Sequence, residues 1–353
     1  MKTSPRRGQK AVGSLDGGRV PARDARRPTH AALLSAICLA VLVLFTAAAP
    51  GVHARTPTRP TRSDSVKEFG VWFWQSPYVM TWRYSQRLLD QAKANGFNAI
   101  YITVDDYLAI AAEPDSPQKV LQLQAYNAAV EKFITYANQG GIAVDAEGGS
   151  PDWVEAANRS KPYGILTFAS QFNATHAVKF RNVQFDVEPY TLPTYKTDEV
   201  AILTEYIDMV NQLVSQNMSG GGIEMVIPFF YGKTPNITYN GQTGSAFTLL
   251  LSTLDQKAGN AMLMMAYRNY ASGRGGTLDI SNAGMDQASQ PGHSTTLIIA
   301  QETSNVHPSY VTFYGTSRAD LFSQIAIINS AYASSSAFNG IAIEYIKPFG
   351  LLH

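Results

Sequence analysis

Val183-Gln184-Phe185-Asp186-Val187-Glu188-Pro189-Tyr190 alternates apolar and polar residues until it meets a proline. Period-two alternation marks a β-strand, whose successive side chains point to opposite faces. Val183, Phe185 and Val187 then share one face, and Gln184, Asp186 and Glu188 the other, with about 6 to 7 Å between Asp186 and Glu188. Two neighbouring carboxylates hinder folding, because they repel and at least one must be paired or hold a proton. That cost points to a working acid; the alternative is an interior ion network in which both are paired with Arg or Lys.

Working outward, short β-rich runs recur along the chain at Phe69–Gln75, Ala99–Asp105, Ile142–Glu147, Val183–Glu188, Ile223–Tyr231, Ala261–Tyr267, Thr296–Glu302 and Gly340–Ile346. Segments of helical period lie between them, among them Ser85–Asn95, Gln118–Asn138, Asp198–Gln216, Ala246–Lys257 and Arg318–Ala333. Eight strands joined by seven crossovers define an α/β chain whose expected fold is a (β/α)8 TIM barrel over residues 66–353. The sequence stops soon after the eighth run, so the last helix is expected to be missing or replaced by N-terminal residues. A doubly wound open sheet would bring a glycine-rich first turn, and Gln75-Ser76-Pro77 is no phosphate loop.

Ahead of the barrel, a basic stretch precedes the almost wholly apolar Ala31–Ala49. Residues 1–54 therefore read as a signal peptide, cleaved after Val52-His53-Ala54, or as an N-terminal membrane anchor. Residues 55–65, rich in Thr, Pro and Arg, read as a disordered linker. Either reading takes the barrel out of the cytoplasm. Of the 28 Lys and Arg, 11 lie before Val66, against only 3 of the 27 Asp and Glu, which leaves 17 against 24 from there on, a net of −7. An acidic domain argues against a nucleic-acid partner, and membrane contact is expected only through an uncleaved N-terminal segment. The single cysteine, Cys38, lies in the apolar run, so the barrel must stand on its core without a disulfide.

Barrel enzymes place their chemistry at the strand C-termini. Those ends carry Trp74, Asp105, Glu147, Glu188, Tyr231, Tyr267, Glu302, Glu344 and Tyr345, with Trp153 and Tyr190 in the loops that follow. Flat aromatic rings stack on sugar faces, while carboxylates accept hydroxyl hydrogen bonds and can protonate a glycosidic oxygen, so a carbohydrate substrate is expected. Asp145, which repeats the Asp-x-Glu spacing with Glu147, and Arg268, which follows Tyr267, join the expected substrate contacts. Trp72 shares a face with Trp74 and is assigned to the core. His176, His293, His307 and His353 are scattered without His-x-His or His-Glu-x-x-His spacing, so neither a transition-metal site nor a cofactor is expected, and an oxygen-lined Ca²⁺ or Mg²⁺ site among the acids stays open. Four glycosylation sequons, at Asn158, Asn173, Asn217 and Asn236, are near chance for this composition.

Asp186-x-Glu188 on the fourth strand, Met265-x-Tyr267 on the sixth and Gly148-Gly149 after the third resemble the hallmarks of the chitinase-type, family 18 glycoside hydrolase barrels. The resemblance implies that Glu188 is the general acid, that Asp186 orients the substrate's own acetamido nucleophile and that Tyr267 holds that group. Where the family carries further aspartates upstream, this chain has Asn182 and Gln184; Arg268 stands where Asp usually follows the tyrosine, and Ile343-Glu344-Tyr345 stands in place of the strand-eight tryptophan. A second reading resembles the two-glutamate retaining glycosidases, with Glu188 as acid/base and Glu302 as nucleophile about 5 to 5.5 Å apart; there Val187 occupies the usual position of an asparagine. A third is a barrel that binds carbohydrate without cleaving it, since the fold hosts many functions.

Overall fold

The computed structural model describes residues 67–353; the expected signal or anchor (1–54), the linker (55–65) and Cys38 lie outside the described residues. Ten strands form in chain order: β1 (Glu68–Phe73), β2 (Ala99–Thr103), β3 (Ala143–Gly148), β4 (Val183–Phe185), β5 (Ile223–Pro228), β6 (Ile237–Tyr239), β7 (Gln242–Gly244), β8 (Ala261–Met265), β9 (Thr296–Glu302) and β10 (Phe338–Glu344). Eight of them close a parallel barrel in the order β1-β10-β9-β8-β5-β4-β3-β2, while β6 and β7 pair as a separate hairpin. This is the (β/α)8 architecture the alternating runs predict.

Helices α1 (Trp82–Ala94), α2 (Asp106–Ala111), α3 (Pro117–Gln139), α4 (Ser160–Thr175), α5 (Tyr195–Gln216), α6 (Ala246–Leu254), α7 (Thr277–Ala288), α8 (Arg318–Ala331) and α9 (Ile346–Phe349) occupy the connections. Their starts follow local chemistry. Thr81, Ser116 and Ser245 each accept a first-turn backbone N–H at α1, α3 and α6, and Ser317 with Asp320 forms a capping box at α8; such caps contribute about 1 kcal/mol each. Pro117 opens α3 and Pro162 lies in the first turn of α4, where the missing N–H would have no intrahelical partner. Among the described residues, no helix is long and apolar enough to cross a membrane.

Strand side chains that point outward, such as Val71, Ile100, Val144, Val183, Phe185 and Val187, join the inward faces of the helices in one continuous core with Phe133, Ile165, Phe168, Leu213 and Leu250. The short α9 stands where the closing helix of a full barrel would lie. Phe349 packs edge-on to Phe97 at 5.0 Å and Phe322 at 6.3 Å, and Leu352 is buried. Among the described residues, the place of the last helix is taken by the chain's C-terminal residues. The hairpin, which the strand reading passed over, turns on Asn240-Gly241 at φ 48° and 77°, a two-residue signal for a tight turn with both central residues left-handed.

Gly340 sits at φ 141° where β10 shifts register against β9, and a Cβ there would overlap the Glu68 carbonyl of β1. Gly340→Ala is therefore expected to destabilise the barrel by at least about 2 kcal/mol, read as a fall in the urea midpoint with an unchanged slope. An unchanged midpoint would mean that the β1–β10 seam relaxes freely.

Candidate functional site

The barrel interior is built in rows, because residues paired across parallel strands lie on the same face. Trp72 pairs with Tyr101 and Tyr101 with Asp145; Thr103 pairs with Glu147, Glu147 with Gln184 and Gln184 with Glu224. On the opposite wall, Val226 pairs with Leu263, Leu263 with Ile298, and Ala300 with Ala342, ending in Glu302 beside Glu344. One half of the interior is polar and the other apolar.

Arg181, directly before β4, organises the lower polar layer. Its Nη1 meets Glu68 Oε2 at 2.6 Å, its Nε donates to Asp145 Oδ1 at 2.9 Å and its Nη2 pairs with Asp145 Oδ2. Tyr101 donates its hydroxyl to Glu68 Oε1 at 2.5 Å. Carboxylate oxygens of Glu68, Asp145 and Glu224 come within 4.8 Å of one another, and the guanidinium of Arg181 is the cation that meets them. Above it, Asn182 Nδ2 donates to Glu224 Oε1 at 2.6 Å, Gln184 Nε2 to Glu224 Oε2 at 3.1 Å, and Trp72 Nε1 to Gln184 Oε1 at 2.6 Å. An indole N–H can only donate, so it fixes the Gln184 amide with its NH₂ toward Glu224.

Burial, reinforced by the charges of Asp145 and Glu68 and opposed by Arg181, pushes Glu224 up to about 8. Burial also raises Asp145, against the pull of Arg181. Between the ordinary carboxylate range near ~4.3 and about 8, the unfolded chain has released a proton that folded Glu224 keeps, so stability falls as pH rises through that window and levels off above it. The fall should be on the order of a few kcal/mol. Glu224→Gln is expected to flatten it, measured by urea unfolding at pH 5, 6.5 and 8. A wild-type midpoint that rises across this window would show that Glu224 folds in its ionised form.

At the strand C-termini, β4 ends at Phe185, three residues earlier than the alternation suggests, and Asp186 to Glu188 leave the sheet as irregular backbone. Val187 nonetheless remains in the outer core and Asp186 is buried. Asp186 N donates to the Gly148 carbonyl at 3.1 Å, and Gly149 lies so close to the Asp186 carbonyl that a Cβ would overlap it. The tight approach explains the Gly148-Gly149 pair. Tyr190, in the turn after Pro189, donates its hydroxyl to Glu188 Oε1, and Thr191 Oγ1 donates to the Glu188 carbonyl at 2.8 Å. Burial and the Glu188 carboxylate raise the Tyr190 phenol well above its usual range, so it acts as a donor.

Trp74 Nε1 donates to Glu344 Oε1 at 2.8 Å, and its ring runs nearly parallel to the buried Trp72 at 6.2 Å. Glu302, at the end of the seventh barrel strand β9, accepts the Ser304 N–H at 2.6 Å. Tyr267, beyond the sixth barrel strand β8, is buried at 6% exposure. Tyr345 is half-buried, at the N-terminus of α9.

Five expected contacts are placed away from the mouth. Asp105 follows the end of β2 and turns into α2; a Cβ on outward-facing Gly148 would stand 2.5 Å from Asp105 Oδ1 and 3.1 Å from Ile165 and Trp153, which puts that carboxylate on the helix side of the barrel wall. Trp153 packs in the same outer core. Asp145 is inward but low, in the Arg181 layer, and Glu147, one step higher, is fully buried. Tyr231 is fully buried among Tyr190, Tyr206 and Phe230. A sixth expected contact, Arg268, lies at the rim and is pinned by carbonyls of Gly275 and Tyr267, both at 2.7 Å. Arg181 and Glu68, which the sequence reading passed over, form a buried ion cluster with Asp145, and Glu224, also passed over, adjoins it. What remains at the mouth is an acid with a phenol donor, two further glutamates on adjacent strands and an indole held by one of them. Such a set can donate a proton to an ether oxygen and seat a flat ring.

No protein-family model and no curated protein matches the chain. Among solved structures, an exo-β-1,4-mannosidase from Opitutaceae bacterium strain TAV5 superposes with a TM-score of 0.50 at 13% identity, covering 79% of this chain and 52% of its own. The chain shares the barrel fold of that mannosidase. It spans about half the mannosidase's length. A β-mannanase from the blue mussel Mytilus edulis gives 0.49 at 10% identity, covering 80% of this chain and 87% of its own, and an O-GlcNAc hydrolase mutant from Thermobaculum terrenum gives 0.44 at 12%, covering 79% and 55%. At such identities the likeness is one of fold.

Proposed function

We propose that this protein is an exported glycoside hydrolase that cleaves a poly- or oligosaccharide by acid catalysis at Glu188. The observation that carries the reading is the Glu188–Tyr190 pair at the fourth-strand exit, beside buried Asp186. A carboxyl at a strand exit can give a proton to a glycosidic oxygen, and the Tyr190 hydroxyl fixes its orientation. Asp186 orients the group that attacks the sugar, Tyr267 holds it, and Trp74 offers a ring to stack on. The apolar N-terminal run supports export. The purified protein should release reducing ends from at least one member of a panel of neutral and N-acetylated oligosaccharides, followed by chromatography. Binding without cleavage across the panel would favour the non-catalytic carbohydrate binder.

Glu302 supports a second reading, the two-glutamate retaining mechanism, because it ends the seventh barrel strand with its carboxylate anchored by the Ser304 N–H. A covalent sugar–enzyme ester distinguishes it from substrate assistance.

A further inference from the structure

Beyond the acid site, the rim above β5, β8 and β9 brings one arginine against two aromatic rings. The Arg268 guanidinium carbon lies 5.3 Å from the Phe229 ring centre and 5.3 Å from that of Tyr310. Two of the five guanidinium N–H groups are committed to the Gly275 and Tyr267 carbonyls, which fixes the plane against which both rings rest as cation–π partners. The loop bearing Tyr310 is anchored as firmly. Asn269 N donates to the Tyr310 carbonyl at 2.9 Å, the Asn269 side-chain amide to the Ser309 and Thr312 carbonyls at 3.0 and 3.1 Å, and Phe313 N to the Glu302 carbonyl at 2.8 Å. Yet Tyr310 is 40% exposed. An aromatic ring immobilised from behind and left open to water binds a flat apolar face at little entropic cost.

We propose that Tyr310, backed by Arg268 and Phe229, is a second sugar platform that takes a ring of the same saccharide chain away from the bond at Glu188, so that the substrate is an oligomer. The proposal rests on the carbohydrate reading above. Tyr310 leaves β9, and its ring meets Arg268, which leaves β8, three strands round the barrel from β1, which Trp74 follows. Eight strands about 4.8 Å apart, tilted by about 36°, enclose a barrel about 15 Å across, more than one sugar ring spans. A substrate that touches both Trp74 and Tyr310 must therefore contain several rings.

The test measures calorimetric binding of β-1,4-linked dimers and hexamers of N-acetylglucosamine, mannose and glucose to the full chain carrying Glu188→Gln, so that nothing is cleaved. The hexamer of the preferred sugar should bind more tightly than its dimer. Tyr310→Ala should lower that hexamer-to-dimer ratio about two- to tenfold, and Tyr310→Phe, which keeps the ring, should preserve it. Unchanged melting of the Tyr310→Ala variant assigns the change to the platform. A ratio unaffected by Tyr310→Ala overturns the second platform alone, whereas failure of every saccharide to bind the Glu188→Gln parent overturns the carbohydrate reading and the platform with it.

Discussion

Glu188→Gln is expected to lower turnover of any saccharide the protein cleaves by about 10²- to 10⁴-fold, the usual contribution of a general acid, with little change in binding. The amide keeps the shape and can still meet the Tyr190 hydroxyl, but it has no proton to deliver. Asp186→Asn should cost one to several orders of magnitude in kcat if the substrate's own acetamido group is the nucleophile. Glu302→Gln should then matter far less, and no covalent intermediate should accumulate. A trapped sugar ester on Glu302, or hydrolysis confined to sugars without an N-acetyl group, would transfer the role of nucleophile to Glu302 and rule out substrate assistance. Equal activity in Glu188→Gln and wild type would remove the acid role altogether.

The largest expected loss of stability follows from Arg181→Met. Arg181 meets Glu68 and Asp145, both nearly or wholly buried, through three nitrogens. Taking away the cation they share while leaving the carboxylates inside should destabilise the protein by about 3 to 5 kcal/mol, the range for breaking a buried pair from one side. Replacing Asp145 by Asn in the same chain should restore part of that loss, because one buried charge is removed with it; a double variant no more stable than Arg181→Met would show that the charges do not compensate one another. Urea midpoints of the four proteins of this cycle decide the matter.

The strands were legible because their outward positions are apolar at period two, most of them Val, Ile, Phe or Met, and face the apolar sides of the helices. Phe185 and Val187 lie in that layer, as the alternation around Asp186 requires. Strand ends were harder to read. Alternation continues past Phe185 in the sequence while β4 does not, although Asp186 N still bonds to the Gly148 carbonyl, and two residues beyond β2 suffice to send Asp105 to the helix side. Aromatic residues in loops carry no periodicity to say which way they turn, and so Trp153 and Tyr231 read as mouth residues although both are core. Helices α4 and α7 hold Pro, Gly, Asn and Ser, and burial of Phe168, Phe172 and Met285 outweighs that weak propensity. Arg181 escaped notice because its meaning lies in Asp145 and Glu68, 36 and 113 residues away in the chain. The remaining signal was a lone arginine entering a strand between neighbours with inward acids.

The division of the interior into a polar wall on β1 to β4 with Glu224 of β5, and an apolar wall on β8 to β10 with Val226 of β5, gives the two sides different tolerance to change. Val226, Leu263 and Ile298 meet one another through contacts without direction, and another aliphatic group of similar volume can take the place of each. Trp72, Gln184, Asn182 and Glu224 meet through bonds in which each donor has one acceptor to find, and few side chains reproduce that geometry. Random variation would therefore accumulate unevenly around the ring. Homologues of this barrel should drift freely along one arc and keep their letters along the other, leaving a conserved crescent beneath the mouth that records folding and not chemistry.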